Sequence, residues 1–381
     1  MGISIGGGIT FGGGISMLWV PSGEPVVSGG LWTWGRNNSG QLGLGDTVNR
    51  VSPVQVGSLT TWSSVSSGFN SASTAAIKTD GTLWTWGLNY SGSLGLNETA
   101  YKSSPVQIGL LTTWLSVASG TYKSHATKTD GTLWTWGRNA IGQLGLGDTN
   151  SRSSPVQIGS LTTWSSIGQG QNSTIAIKTD GTMWTWGQNT VGQLGLGNTT
   201  NYSSPKQVGA LTNWKIARVS NTFVVAVKID NTLWSWGSGM SGGLGLGNTV
   251  NVSSPVQIGS LTDWTSVAGG NNTAIAVRTD GTLWAWGLNS YGQLGLGNTI
   301  NRSSPVQVGS LTTWLSVAGG TYHHLANKTD GTLWSWGRGV FSQLGLGDTI
   351  HRSSPMQIGA LTTWSLLSPF GGAAHNLIIS I

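Results

Sequence analysis

Thr129-Asp130-Gly131-Thr132-Leu133-Trp134-Thr135-Trp136-Gly137 is a stretch the chain repeats with small changes. Its centre, Leu-Trp-x-Trp-Gly or a Met variant, begins at Leu31, Leu83, Leu133, Met183, Leu233, Leu283 and Leu333. The first interval is 52 residues and the next five are 50 each. A fixed period of about 50 residues marks a propeller, solenoid or array, whose units bury apolar faces against their neighbours. A residue found in every unit serves the scaffold. One that appears where the units disagree is a candidate for function. Length alone allows two or three domains. The repeat instead assigns residues 31–381 to one ring and sets residues 1–30 apart as a Gly-rich leader.

Residues 165–214 show the unit. Ile175–Lys178 alternates and is β-prone, and Thr179-Asp180-Gly181-Thr182 follows. Asp-Gly predicts a two-residue hairpin turn, whose central positions both take positive φ. Met183-Trp184-Thr185-Trp186 returns, with both tryptophans on one face and Met183 and Thr185 on the other. Gly192-Gln193-Leu194-Gly195-Leu196-Gly197 sits between two variable pieces, its glycines permitting close approach. Ser203-Ser204-Pro205 opens a third strand, and Trp214 opens the last. No segment has helical period or length. Four short strands per unit, seven times over, predict an all-β, seven-bladed propeller. Blades are apolar on both faces, which explains the tryptophans: of 22, 21 occupy frame positions and only Trp19 does not.

The ends predict how the ring shuts. Ala374–Ile381 corresponds to the strand before Asp-Gly without its hairpin partner, and Leu31–Trp34 corresponds to the partner alone. Pairing the two builds an N-/C-terminal composite blade and removes the open edges.

Gly-Gln-Leu-Gly-Leu-Gly-Asp, Ser-Pro-Val-Gln, Trp-x-x-Val-Ala-x-Gly and Thr-Asp-Gly-Thr-Leu-Trp-x-Trp-Gly, in this order, resemble the regulator of chromosome condensation repeat. The resemblance covers about 350 residues and implies a seven-bladed propeller with composite closure. It implies no single function, because members include a Ran exchange factor, a plant ultraviolet-B photoreceptor and a β-lactamase inhibitor. The exchange factor's inserted β-wedge has no room in the even spacing. The photoreceptor's Trp-bearing turn is matched here by Gly68-Phe69-Asn70, Gly120-Thr121-Tyr122-Lys123 and Gly320-Thr321-Tyr322-His323, none with Trp. The fifth unit departs most from the pattern, with Lys215–Val219 in place of the usual strand, Asn231 for Gly and Gly243 for Gln.

Charge and composition narrow the classes further. Of the +6 net charge, six basic residues from Lys78 to Lys328 precede six aspartates by two positions and cancel. Twelve other basic and six other acidic residues carry the excess, and many of the twelve lie in variable segments: Arg36, Arg50, Lys102, Lys123, Arg138, Arg152, Arg302, Arg338 and Arg352. These suit a solvated loop surface or a polyanion-binding face. No block of like charges supports a specific nucleic-acid arm. There is no cysteine, hence no disulfide framework. No apolar run is long enough for a membrane helix, and the N-terminus does not fit a secretory signal.

Alternating connections place the Asp-Gly and Gly-Ser-Leu-Thr turns on one side of the ring. On the other side lie the segments after Trp-Gly, after Leu-Gly-Leu-Gly and after Val-Ala-x-Gly. The first side is nearly identical in all units, and the second varies. All six tyrosines fall on the variable side, as do Phe69, Phe223, Phe341 and Phe370. Tyrosine with Asn, Ser, Gly and scattered Arg is the chemistry of binding surfaces. Drift of unconstrained loops is the alternative reading. The candidate partner-binding set is Phe69, Tyr90, Tyr101, Tyr122, Arg138, Arg152, Tyr202, Tyr291, Tyr322 and Phe341. Adjacent His323 and His324 read as a surface turn. No metal site, cofactor or catalytic set is expected, so the chain reads as a non-enzymatic binding protein.

Residues 1–16 space Ile3, Ile5, Ile9, Phe11 and Ile15 between glycines. They read as an anchor that orders against a partner, as a flexible linker, or as a segment packed on the ring. The leader resembles those of marine bacteriophage structural proteins. That resemblance implies a virion location, with other virion proteins as the anchor's partners and a protein or cell-surface receptor on the loops. The rival expectations are a soluble inhibitor or regulator of a host protein and an intracellular scaffold.

Overall fold

The computed structural model describes residues 18–19, 25–26, 29–67, 72–367, 372 and 374–380. The anchor residues Ile3, Ile5, Ile9, Phe11 and Ile15 lie outside them, as do Phe69 and Phe370. Seven four-stranded antiparallel sheets make a seven-bladed propeller. The second blade runs Trp62–Ser67, Ser73–Lys78, Leu83–Gly87 and Lys102–Gln107, and the next five repeat it, starting at Trp114, Trp164, Trp214, Trp264 and Trp314. First strands of adjacent blades touch one another, so they are innermost. Trp214 thus opens the fifth blade and does not close the fourth; the blade boundary falls one strand before the end of the 165–214 unit.

The first blade is composite. Trp364–Leu367 and His375–Ser380 come from the C-terminal side, Gly30–Gly35 and Arg50–Gln55 from the N-terminal side. Leu31 pairs with Ile379 and Trp34 with Asn376, as the matching gaps in the sequence require.

The double-tryptophan strand works as its alternation predicts. Trp134 and Trp136 both join the apolar cluster between the second and third blades, and Leu133 joins the one between the third and fourth. Trp136 is fully buried, and its indole N–H donates to the Ser93 carbonyl of the preceding blade at 3.0 Å. The same bond recurs from Trp34 to Gln343 across the closure, also at 3.0 Å. Gly95 lies beneath Trp136: a Cβ there would stand 2.8 Å from the indole nitrogen. That contact, with a φ of +73°, is why the glycine recurs.

The Asp-Gly turn is longer than expected. Gly131 N–H donates to Lys128 O at 2.9 Å and Lys128 N–H to Thr132 O at 3.1 Å, which closes a three-residue loop. Only the glycine has positive φ, +77° at Gly131, so the turn is a type I turn followed by a glycine bulge. Asn231 fills that position in the fifth blade at φ +58°, a conformation asparagine tolerates. Asp130 Oδ1 accepts from the Thr132 amide at 2.9 Å and the Thr132 hydroxyl at 2.6 Å. The Thr132 hydroxyl accepts from Trp134 Nε1 at 2.9 Å. These bonds from Thr132 hold the Asp130 carboxyl below its usual range. Lys128 does not reach Asp130; its Nζ lies 3.7 Å from the Trp134 ring centroid, in a cation–π contact.

Candidate functional site

The topology sends two connections of each blade to one edge of the ring: the short turn after the innermost strand and the long loop between the third and outer strands. A buried asparagine shapes the long loop. Asn139 Nδ2 donates to the Asp148 carbonyl and carboxylate, both at 3.0 Å, and its Oδ1 accepts from the Leu144 amide at 2.9 Å. Asn37, Asn189 and Asn289 make the equivalent bonds to Asp46, Asn198 and Asn298, whereas Gly239 and Gly339 stand at this place in the fifth and seventh blades. With the loop backbone so held, the residues around it are free to differ.

Two aromatic groups form on this edge. Tyr90 and Tyr122 meet across the second and third blades, ring centroids 4.8 Å apart. Tyr122 holds a φ of +60°, which turns the side chain out of the strand that follows. Tyr291 and Tyr322 meet across the sixth and seventh blades at 5.4 Å, and His351 packs on Tyr291 at 5.2 Å. The Tyr322 hydroxyl accepts from Asn271 Nδ2 at 2.8 Å. The Arg338 guanidinium sits 5.1 Å from Tyr291, 5.6 Å from Tyr322 and 5.1 Å from Phe341. Arg36 of the composite blade reaches the same Phe341 ring at 5.0 Å.

The other sequence candidates lie apart. Tyr101 is 57% exposed without a ring neighbour among the described residues. Tyr202 begins an outer strand, with Lys206 Nζ 5.5 Å from its ring. Arg138 lies beside Tyr122, whose carbonyl accepts the Arg138 backbone N–H at 2.8 Å. Arg152 is engaged within its own loop, paired to Asp148 at 2.6 Å. Arg338, Arg36, Asn271 and His351 belong to the seventh-blade cluster although the candidate set omitted them. A partial signal was readable: Arg50, Arg152 and Arg352 each follow an aspartate by four residues, whereas Arg36, Arg138, Arg302 and Arg338 do not, and only the fold shows that Arg36 and Arg338 meet at one ring.

Three placements correct the sequence reading. Phe223 is fully buried in the core between the fifth and sixth blades, because it begins a strand whose first side chain points at the next blade. His323 and His324 are not a surface turn. They begin the equivalent strand of the seventh blade and are fully buried. His323 Nε2 bonds Asn376 Oδ1 at 2.8 Å, His324 Nε2 meets the Thr273 hydroxyl at 3.2 Å, and His375 Nε2 meets the Thr74 hydroxyl at 3.4 Å. Burial pushes His323 down to about 4 and His324 and His375 to about 3, so they are neutral parts of the blade interfaces. Lys123 is likewise not a solvated loop cation. It is fully buried, donating to the carbonyls of Gly170 and Ser173 at 3.1 and 2.8 Å, and burial lowers it to about 7.

Among the described residues, no three His, Asp or Glu side chains gather where a metal could bind. No helix among them is long and apolar enough to cross a membrane. Indentations of about 330 and 380 Å³ sit at equivalent places between the fourth and fifth and the sixth and seventh blades, each lined by the Leu-Gly-Leu-Gly frame and a Trp pair. Because they recur with the frame, they belong to the scaffold. The opposite edge of the ring carries the Gly-Ser-Leu-Thr turns, where Leu161 is 48% and Leu311 is 47% exposed.

The solved structure of Prp20p from Saccharomyces cerevisiae superposes with a TM-score of 0.81 at 20% identity, covering 93% of this chain and 92% of that one. Human WBSCR16 gives 0.81 at 20% identity, covering 92% and 98%. At such identities the likeness shows the fold alone. Human protein RCC2 is 39% identical over 84 residues, which is 22% of this chain and 16% of that protein. The ultraviolet-B receptor UVR8 of Arabidopsis thaliana is 32% identical over 83 residues, 22% and 19% respectively. The mouse X-linked retinitis pigmentosa GTPase regulator is 38% identical over 93 residues, 23% and 9%. The matched segments span less than a fifth of each of these relatives. Residues 25–268 match the RCC1-like domain, and 280–326 and 330–379 match the regulator of chromosome condensation (RCC1) repeat: the chain belongs to the RCC1-like propeller family.

Proposed function

We propose that this chain is a non-enzymatic binding protein that holds a protein partner on its variable loop edge. The observation that carries the reading is the gathering of Tyr291, Tyr322, Phe341, Arg338 and Arg36 from three blades on that edge. Scaffold packing does not require such a cluster, since the other blades close without it. Aromatic rings and arginine are the side chains that supply most binding energy at protein interfaces. Relatives point the same way: one is named a GTPase regulator and another a receptor, and the yeast structure is described with its binding to Gsp1p and histones. The test is affinity capture from the source organism with quantitative mass spectrometry, comparing the native chain with Tyr291→Ala/Tyr322→Ala. A partner enriched by the native chain and lost with the variant supports the proposal. Equal enrichment by both counts against it.

A narrower form makes the protein a virion adhesion or decoration protein, on a phage tail or fibre. It divides the chain into an attachment segment, residues 1–30, and a recognition ring, residues 31–381. Its support is the leader sequence, with Ile3, Ile5, Ile9, Phe11 and Ile15 uncharged between glycines. The partners would be other virion proteins at the leader and a cell-surface receptor at the loops. Removing residues 1–16 and assaying incorporation into particles tests it. Full incorporation of the shortened chain would favour the rival form, a soluble regulator or inhibitor of a host protein.

A further inference from the structure

On the loop edge each described carboxylate is already committed within its own loop. Asp46 pairs with Arg50 at 2.5 Å, Glu98 with Lys102 at 2.6 Å, Asp148 with Arg152 at 2.6 Å and Asp348 with Arg352 at 2.5 Å. The remaining described carboxylates sit in the turns of the opposite edge. Four arginines of this edge, Arg36, Arg138, Arg302 and Arg338, are left without an ion-paired carboxylate among the described residues, and of these Arg36 and Arg338 stand on neighbouring blades. They are also brought together: both guanidinium carbons lie about 5 Å from the centroid of the Phe341 ring, 5.0 and 5.1 Å. Tyr291 and Tyr322 complete a box of rings around Arg338, and its buried Nε has no acceptor among the described residues.

Such an arrangement prepares a binding site. Aromatic faces hold a guanidinium by its plane and leave its N–H edge to form paired bonds with a carboxylate. Fixing the side chains in advance lowers the ordering cost on association. Two like charges held at one ring without a counter-ion repel, and an arriving anion relieves that repulsion.

We propose that Arg36 and Arg338 form the anchor point for an acidic segment of a protein partner, whose side-chain carboxylates bridge them at the junction of the seventh and composite blades. The proposal rests on the loop edge being the partner-binding face and names what that face selects. A nucleic acid fits less well. Backbone phosphates are bound by a track of many free cations, and here Arg50, Lys102, Arg152 and Arg352 are neutralised by their own loops. The surrounding Tyr, Asn and Phe are the company a peptide segment meets in a paratope.

The test is fluorescence anisotropy of the full chain with three labelled probes: a Glu-rich decapeptide, its Gln counterpart and a ten-nucleotide oligo-dT. The Glu peptide should bind, and the other two at least about tenfold more weakly. Arg36→Gln/Arg338→Gln should weaken Glu-peptide binding at least about tenfold. Arg302→Gln/Lys206→Gln, which removes the same charge elsewhere, should leave it within about twofold. Arg36→Lys/Arg338→Lys keeps the charge and loses the planar fork, so it should fall between. Melting curves of all variants establish that each is folded. Glu-peptide binding unchanged in the first variant, or lost equally in the charge-matched control, overturns the proposal. Tighter binding of oligo-dT that depends on the same arginines overturns it in favour of a phosphate site. Where the Tyr291→Ala/Tyr322→Ala variant loses the captured partner and the arginine variant keeps it, the loop-edge reading stands and the acidic-segment reading falls.

Discussion

The two edges of the ring are made by the same seven units and solve opposite problems. On the Asp-Gly edge the polar groups of the turn find their partners inside their own repeat: Asp130 holds Thr132, Thr132 holds Trp134, and Lys128 covers the Trp134 ring. The answer is local, so the sequence repeats it almost unchanged. On the loop edge Asn139 and its equivalents hold the backbone, and the exposed side chains reach across blades. Tyr291 meets Tyr322, and Phe341 meets both Arg36 and Arg338. A tyrosine pair forms at only one other blade junction among the described residues, Tyr90 with Tyr122, and the Phe341 contacts occur once. A repeat protein can thus keep stability in what recurs and selectivity in what does not.

That division predicts a steep ordering of variant effects. The largest belongs to closure. Deleting residues 377–381 removes buried Leu377, Ile378 and Ile379, each worth about 1.5–3 kcal/mol of burial. It also opens two sheet edges. Thermal unfolding should start well below that of the intact ring and lose its single cooperative transition; a melting curve within a few degrees of the native one breaks the comparison at its base. Next is Trp136→Ala, which empties a fully buried site and leaves the Ser93 carbonyl without its indole donor. Chemical denaturation should show a loss of roughly 3–5 kcal/mol.

Acid should act through the blade interfaces. His323, His324 and His375 lie below their ordinary value of 6.5 in the fold, at about 4, 3 and 3. The unfolded chain therefore binds more protons across this window. Stability is fully present above about pH 6.5 and is lost as pH falls through 4 towards 3. Denaturation midpoints measured from pH 7 to 4 should decline, and His323→Asn should flatten the decline. Midpoints that stay level would mean the histidines are hydrated and charged. Lys123, lowered to about 7, works in a separate window: stability rises as pH climbs from 7 towards 10.5.

Smaller effects separate the edges. Lys128→Met removes a cation from the Trp134 ring and keeps the packing stem, so it should cost about 0.5–1 kcal/mol by chemical denaturation. A change above 2 kcal/mol would give that edge more energy than its contacts explain. Tyr90→Ala should cost no more than about 0.5 kcal/mol, because the ring is 53% exposed.

The fold was legible because its signals recur. Spacing gave the blades, alternation placed the Trp134 and Trp136 rings in one interface, and complementary gaps at the two ends gave the composite pairing. Misreadings came where a side chain's neighbour lies in another blade. His323, His324, Lys123 and Phe223 look like turn residues along the chain, and only the next blade buries them. The two-residue turn failed for a local reason: glycine alone takes the left-handed position, and Asp130 spends its carboxylate on Thr132. At the candidate site the sequence separated the variable edge from the constant one. It could not show that Tyr291, Tyr322 and Phe341 converge while Tyr101 and Tyr202 stand apart, since that depends on which loops are neighbours around the ring.

The central claim is that recognition resides on the loop edge and not on the uniform leucine-bearing edge opposite. One measurement addresses it directly: quantitative capture of the partner by the native chain, by Tyr291→Ala/Tyr322→Ala, and by Leu161→Ser/Leu311→Ser on the opposite edge. Capture by the leucine variant at the native level, with loss in the tyrosine variant, is the predicted result. Loss in the leucine variant with full capture by the tyrosine variant would contradict the account and move the binding site to the other face of the ring.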